Sequence, residues 1–174
     1  MKSFEINTGR LTLKPLGREY LETTNAYALD RESVKYMEFL PYDDSDETLE
    51  FLKGAEAEWD KEVPNTYEFA IIHEGRHIGG LSVYYLGDIV ELGWILNKES
   101  KGHGFAAEAA LGAIDYFSKS RGTTHFIASC DIRNAASYKT MEKIGMTRMG
   151  RYEGRKNRAS DEIASGYKYE LILN

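Results

Sequence analysis

The chain switches between two hydrophobic periods, and each switch marks an element. Leu11, Leu13 and Leu16 punctuate Arg10 to Leu16 as a first strand, and Pro15 marks it as an edge strand or as nearing its end. Arg18 to Leu29 then reads as a helix. Asp30 is placed to cap a second helix through Phe39, with Val34, Met37 and Tyr36 as its apolar stripe and Pro41 as its stop. Ser45 or Asp44 can cap a longer helix to about Glu62, where Leu49, Leu52, Glu56 and Trp59 mark successive turns before Pro64.

The middle of the chain changes to period two. Tyr67 to His73, His77 to Leu86 and Ile89 to Leu96 are strand-like runs separated by Glu-Gly-Arg and Gly-Asp turns, which predicts three antiparallel strands. Gly104 to Arg121 returns to a helical pattern rich in alanine, with Gly122 placed to stop it. Phe126 to Asp131 is a short strand; with Ile89 to Leu96 it brackets the alanine-rich helix as a right-handed crossover, so these two strands should run parallel. Ala135 to Ile144 predicts a further helix ended by Gly145, and a closing hairpin pairs Thr147 to Tyr152 with Tyr167 to Leu173.

With 174 residues and 42% hydrophobic content the chain suits one domain spanning residues 1–174. No apolar run approaches the roughly 20 residues that span a bilayer, and Met1-Lys2-Ser3-Phe4-Glu5 lacks the apolar core of a signal peptide, so a soluble, cytoplasmic protein with no membrane partner is expected. The lone Cys130 excludes an intrachain disulfide and a thiolate metal cluster. His73, His77, His103 and His125 lack metal-site spacing, so no metal is implied. A net charge of -6 argues against nucleic acid as a partner. The charge is uneven: Glu38 to Glu62 holds ten acidic and two basic residues, whereas Lys139 to Arg158 holds seven basic and two acidic ones.

The chemistry concentrates around Lys101-Gly102-His103-Gly104-Phe105-Ala106. Glycines here allow a tight turn that exposes successive N–H groups, and the helix behind adds a partial positive charge, together a cradle for a pyrophosphate. Gly93 lies inside the preceding strand, where a glycine marks a bulge or a close backbone approach. A bulge there would splay this strand from its parallel neighbour, and an extended ligand arm with amide groups could use the freed backbone as if it were another strand. Pantetheine is such an arm.

At these residues the chain resembles the GNAT superfamily of N-acetyltransferases, and within it the branch of the ribosomal-protein N-terminal acetylases RimJ and RimL. The resemblance runs through Gly9-Arg10-Leu11-Thr12-Leu13-Lys14-Pro15-Leu16, Glu91-Leu92-Gly93-Trp94 and the loop Lys101-x-x-Gly104-x-Ala106. Asn134-Ala135-Ala136-Ser137 and Met141-Glu142-Lys143-Ile144-Gly145-Met146 complete it. Lys101 stands where the family usually has arginine or glutamine.

The resemblance implies an α/β (α+β) fold: a mixed, mostly antiparallel, splayed sheet flanked by helices, with one parallel β-α-β crossover carrying the pyrophosphate loop. It also implies an acetyl-CoA-dependent N-acetyltransferase in which a primary amine attacks the thioester directly, in a ternary complex. Leu96, Lys101, Gly102, His103, Gly104, Phe105 and Ala106 would then hold the cofactor, and Asn134 and Ser137 would contact its pantetheine arm. Many members carry a tyrosine at the Met141 position to protonate the departing thiolate; the RimL-like branch looks instead to the serine matching Ser137. A hydroxyl suffices for a thiolate whose conjugate acid has a pKa of about 8.5.

Glu91 interrupts the apolar strand Ile89 to Leu96, and two readings of it stand. A carboxylate beside the thioester could take a proton from an ammonium acceptor, directly or through water, or it could simply occupy the wetter face of the sheet, opposite Val90 and Leu92. Backbone N–H groups near a Gly93 bulge would stabilise the oxyanion. Cys130 reads as a buried core cysteine.

Two rival functions remain at this level. Gly102-x-Gly104-x-x-Ala107 also fits a dinucleotide-binding fingerprint, although five residues separate it from Leu96 and antiparallel hairpins precede it. A non-catalytic acyl-CoA sensor would keep the cofactor loop without turnover. The acceptor stays open among protein N-termini, polyamines, amino sugars and amino acids, and the sequence leaves room for a homodimer. The charge asymmetry suggests a cationic acceptor drawn to an acidic entrance, with the basic stretch facing the phosphates of CoA.

Overall fold

The period-two runs form one sheet of eight strands. They are β1 (Ile6–Asn7), β2 (Leu11–Pro15), β3 (Thr66–His73), β4 (Arg76–Leu86), β5 (Ile89–Leu96), β6 (His125–Asp131), β7 (Thr147–Lys156) and β8 (Ile163–Ile172), in spatial order β1-β2-β3-β4-β5-β6-β8-β7. The helices are α1 (Leu21–Ala28), α2 (Ser45–Trp59), α3 (Phe105–Arg121) and α4 (Ala135–Ile144). The computed structural model describes residues 4–174; Met1, Lys2 and Ser3 of the stretch read above for a leader lie outside them. Among the described residues only β5 and β6 pair in parallel, so the fold is a mixed, mostly antiparallel α/β sheet with one parallel crossover, through α3. A dinucleotide-binding sheet would be parallel through its first units, which this one is not.

Local chemistry accounts for the helix ends. The Asp44 side chain accepts from the Glu47 N–H at 2.9 Å and the Glu47 carboxylate accepts from the Asp43 N–H at 2.8 Å, a reciprocal cap that fixes the start of α2. Gly122 and Gly145 take left-handed conformations, φ +67 and +97, and close α3 and α4. The alanines of α3 are buried and let it sit close over Phe69, Leu81, Leu92 and Phe126. On the opposite face Ala70 packs with Leu16 and Leu52, and Ile95 with Tyr27, Val34 and Leu40.

Three expectations are corrected. The helix predicted from Asp30 to Phe39 is a hydrogen-bonded turn over Arg31 to Tyr36 followed by irregular chain. Tertiary bonds replace its continuation: Tyr36 O accepts from Arg155 Nη2 at 3.0 Å, and Met37 O from the Arg158 N–H at 3.0 Å. Nor is there a bulge at Gly93, because β4 and β5 stay in register through Ser82↔Gly93. The splay has another cause. Pairing of β5 with β6 stops at Glu91↔Ile127, while β6 remains in register with β8 to Asp131↔Gly166, so each strand follows its antiparallel neighbour and the two part. The closing hairpin is longer than predicted, running from Thr147↔Glu170 to Lys156↔Ile163. No helix among the described residues is long and apolar enough to cross a membrane.

Candidate active site

Gly102 and Gly104 both have left-handed backbone, φ +83 and +78, which a residue with a Cβ rarely adopts; the loop can therefore turn straight into α3. Gly104 caps α3 without a side chain, leaving the first-turn N–H groups uncovered by any side-chain acceptor. Cations gather at the same spot: a Cβ on Gly104 would come within 2.8 Å of Lys143 Nζ and 3.7 Å of an Arg10 nitrogen. Arg10 is itself braced by Glu108, 2.7 Å from Nε, and lies over the Phe105 ring. Uncapped amides and converging cations suit a diphosphate.

The start of α4 is held as firmly. Asp131, at the end of β6, accepts from the Arg133 backbone and guanidinium and from Asn157 Nδ2. Burial alone would raise this carboxyl, but these bonds outweigh it and hold the pKa at about 2. One turn on, Asn134 Oδ1 accepts from the Ser137 N–H at 3.2 Å, leaving the amide nitrogen as its remaining donor. Ser137 and Cys130 both line the cavity, and the Cys130 thiol pKa is raised by burial, with Ser137 opposing.

Between these two anchors the parting of β5 and β6 opens a cavity of about 680 Å³ that passes from the α3–α4 side of the sheet to the α1 side. Leu96, Lys101, Gly102, Gly104, Phe105, Ala106, Asn134, Ser137 and Glu91 all line it. His103 does not; it is exposed and packs at a tilt against Phe105, centroids 5.5 Å apart. Cys130, read from sequence as core, is buried and also lines the cavity.

The far half of the cavity is acidic and aromatic. Glu91 lies opposite Tyr84 on β4 and on the face away from Val90 and Leu92; its pKa is raised by burial and by Glu38, with Arg155 and Lys168 opposing. Sequence reasoning missed Glu68 on β3. It is 5% exposed, lines the cavity, and accepts from Ser82 Oγ at 2.5 Å and Tyr84 OH at 2.7 Å. Burial drives its pKa up to about 7 against these two bonds. The signal was available: Glu68 breaks the apolar run Tyr67 to Ile72 just as Glu91 breaks its own strand.

The profile described as an acetyltransferase (GNAT) domain matches residues 10–147, well over half of the chain. The chain belongs to the GNAT acetyltransferase family. Among GNAT relatives it is similar to the uncharacterized N-acetyltransferase YnaD of Bacillus subtilis (strain 168), 30% identical over 151 residues that cover 83% of this chain and 84% of that protein. The GNAT-family acetyltransferase of Bacillus anthracis superposes with a TM-score of 0.82 at 25% identity, covering 97% and 98% of the two chains. The acetyltransferase of Salmonella typhimurium that modifies the N-terminal serine of ribosomal protein L7/L12 shares the GNAT fold, with a TM-score of 0.87 at 14% identity and coverage of 98% and 100%. As a GNAT enzyme the chain catalyses acetyl transfer, and acetyl-CoA is the donor that its loop and cavity suit.

Proposed function

We propose that the chain transfers the acetyl group of acetyl-CoA to a primary amine by direct attack, within a ternary complex assembled across the parted strands. The observation that carries this reading is the single cavity joining the diphosphate-type loop at α3 to the Glu91 and Glu68 carboxylates. An anionic donor fits one mouth and a cationic acceptor the other.

In this reading Lys101 to Ala106 hold the diphosphate, Leu96 and the unpaired edge of β5 hold the pantetheine arm, and Asn134 Nδ2 and Ser137 meet its far end. Ser137 Oγ protonates the departing thiolate. Met141, at the position where many relatives carry tyrosine, is 1% exposed, packs in the main core and lines the cavity, but carries no proton to give. Glu91 draws the ammonium into the cleft. The RimJ/RimL-like motifs and the fold shared with the L7/L12-modifying enzyme favour a protein N-terminus among the candidate amines. Free thiol released from acetyl-CoA across a panel of N-terminal peptides, polyamines, amino sugars and amino acids tests the proposal. Acetyl-CoA binding in calorimetry without thiol release from any amine would overturn it.

A further inference from the structure

The register of the sheet places three residues in one row. Glu68 on β3 pairs with Ser82 on β4, and Ser82 pairs with Gly93 on β5. Gly93 is the second residue past the last β5–β6 pair, so the row runs from a buried carboxylate to the edge of the opening, two strand spacings or about 10 Å across. All three line the cavity. A Cβ on Gly93 would touch nothing nearer than the Ser82 Cβ at 3.9 Å, so the glycine leaves the way between Ser82 and the opening clear. Ser82 Oγ spends its one proton on Glu68 Oε2, which leaves its lone pairs free to accept.

We propose that Ser82 and Glu68 form a proton relay for the acceptor, with Ser82 touching the incoming ammonium and Glu68 acting as the positioning residue behind it. This rests on the amine-acetylation reading above. An ammonium N–H proton passes to Ser82 Oγ as the serine proton passes to Glu68 Oε2, leaving a neutral amine. The amine nitrogen bonds to the acetyl carbon and the bond from that carbon to sulfur breaks. The second nitrogen proton leaves as the amide forms, and the thiolate takes one proton through Ser137. Glu68 then returns its proton to solvent, so one amide, one thiol and one free proton result from each ammonium.

The surroundings suit a carboxyl that titrates in the working range. The titratable groups around Glu68 are Tyr84 on β4, Tyr27 on α1 and Tyr42 ahead of α2, each raised chiefly by burial and further by the Glu68 carboxylate, with Glu91 on β5 across Tyr84. His77, farther along β4, is engaged by Thr23 and the Gly79 carbonyl. Among the described residues no cation pairs with Glu68, so burial governs it. Glu91, by contrast, faces Arg155 and Lys168 and stands nearer the solvent.

The test is the pH profile of kcat and kcat/KM for one amine that the wild type acetylates, at saturating acetyl-CoA. Wild-type activity should rise with pH through an acid limb near 7. Glu68→Gln should lose that limb and lower kcat at least tenfold with little change in acetyl-CoA affinity; Glu68→Asp should recover part of the rate. Ser82→Ala should match Glu68→Gln, and Ser82→Thr should retain the limb. Carbon-13 NMR titration of the Glu68 carboxyl in the wild type reads the same group without relying on a variant that folds. An unchanged limb in Glu68→Gln or Ser82→Ala, or a Glu68 carboxyl that titrates in the ordinary range near 4.5, would overturn the relay while leaving amine acetylation intact. A wild type that releases no thiol with any amine would remove both.

Discussion

Arg158 grips Glu47 through both terminal nitrogens, with Nη1 2.6 Å from Oε1 and Nη2 2.8 Å from Oε2. The acidic and basic segments, separate in sequence, therefore meet. Arg158 also reaches Asp43, and Arg155, 5% exposed, reaches Glu38. The basic stretch is divided: Lys139 and Lys143 line the cavity near the start of α3, while Arg155, at the end of β7 and itself lining the cavity, and Arg158, in the turn after it, fasten that end of the hairpin to the acidic segment. Part of the acidic segment, Glu38, Asp43 and Glu47, is thus partnered by arginines in a clasp.

The clasp is open to salt. In a double-mutant cycle of Glu47→Gln and Arg158→Gln, thermal denaturation should show a favourable coupling at about 0.02 M salt that shrinks by about 0.3 M. Zero coupling at both would mean the pair contributes nothing. Charge reversal across Asp43, Asp44, Asp46 and Glu47 is a poor probe of acceptor steering, because Asp44 caps α2 and Glu47 holds Arg158.

At the cofactor loop, Gly104→Val should weaken acetyl-CoA binding at least tenfold, about 1.4 kcal/mol. Both φ +78 and the neighbouring Lys143 Nζ oppose a branched side chain there, so part of the effect is backbone strain. Lys143→Gln removes a cation without strain. Calorimetry should show a smaller loss for it, steeper at low salt, and equal affinity in both variants and the wild type would remove the loop from the site.

Ser137→Ala should lower kcat more than it alters acetyl-CoA affinity. Met141→Ala should act on stability, by about 2–5 kcal/mol for a buried methionine. Steady-state kinetics and urea denaturation separate the two. A Ser137→Ala enzyme with wild-type turnover would assign thiolate protonation to solvent.

Stability against pH carries two opposed contributions. Glu68 is raised from 4.5 to about 7, so the folded state holds its proton more tightly and stability falls as pH rises between those values. His77 is lowered by burial from 6.5 to about 4, so the folded state favours the neutral ring and stability falls as pH drops between those values. Each slope is at most about 1.4 kcal/mol per pH unit, and over the shared window they offset each other. Glu68→Gln should therefore unmask a stability that rises with pH from about 4.5 to 6.5, and His77→Gln one that falls, both measured by urea denaturation across that range. A flat profile in Glu68→Gln would show that His77 titrates at its ordinary value, and a flat profile in His77→Gln would show the same of Glu68.

Much of this molecule is decided by local chemistry. The strands of the central meander, α3 with its glycine cap, and the start of α2 at Asp44 follow from side-chain period and from turn and cap residues that act within a few positions. The tight glycine turn at Gly102 and Gly104 was legible for the same reason, since glycine's tolerance of positive φ is a property of single residues. His103 belonged to that loop in sequence, yet its ring turned outward onto Phe105.

What the sequence could not decide depends on partners far along the chain. The segment from Asp30 to Phe39 has helical period and a cap, but its carbonyls are claimed by Arg155 and Arg158, more than a hundred residues away. The parting of β5 and β6 arises from a contest of registers between β4 and β8, and no single glycine encodes it. Glu68 became a site residue only when β4 brought Ser82 and Tyr84 beside it and closed the cavity over it. A carboxylate's pKa is set by the solvent and dipoles around it, and those are fixed by packing in three dimensions and not by its neighbours in the chain.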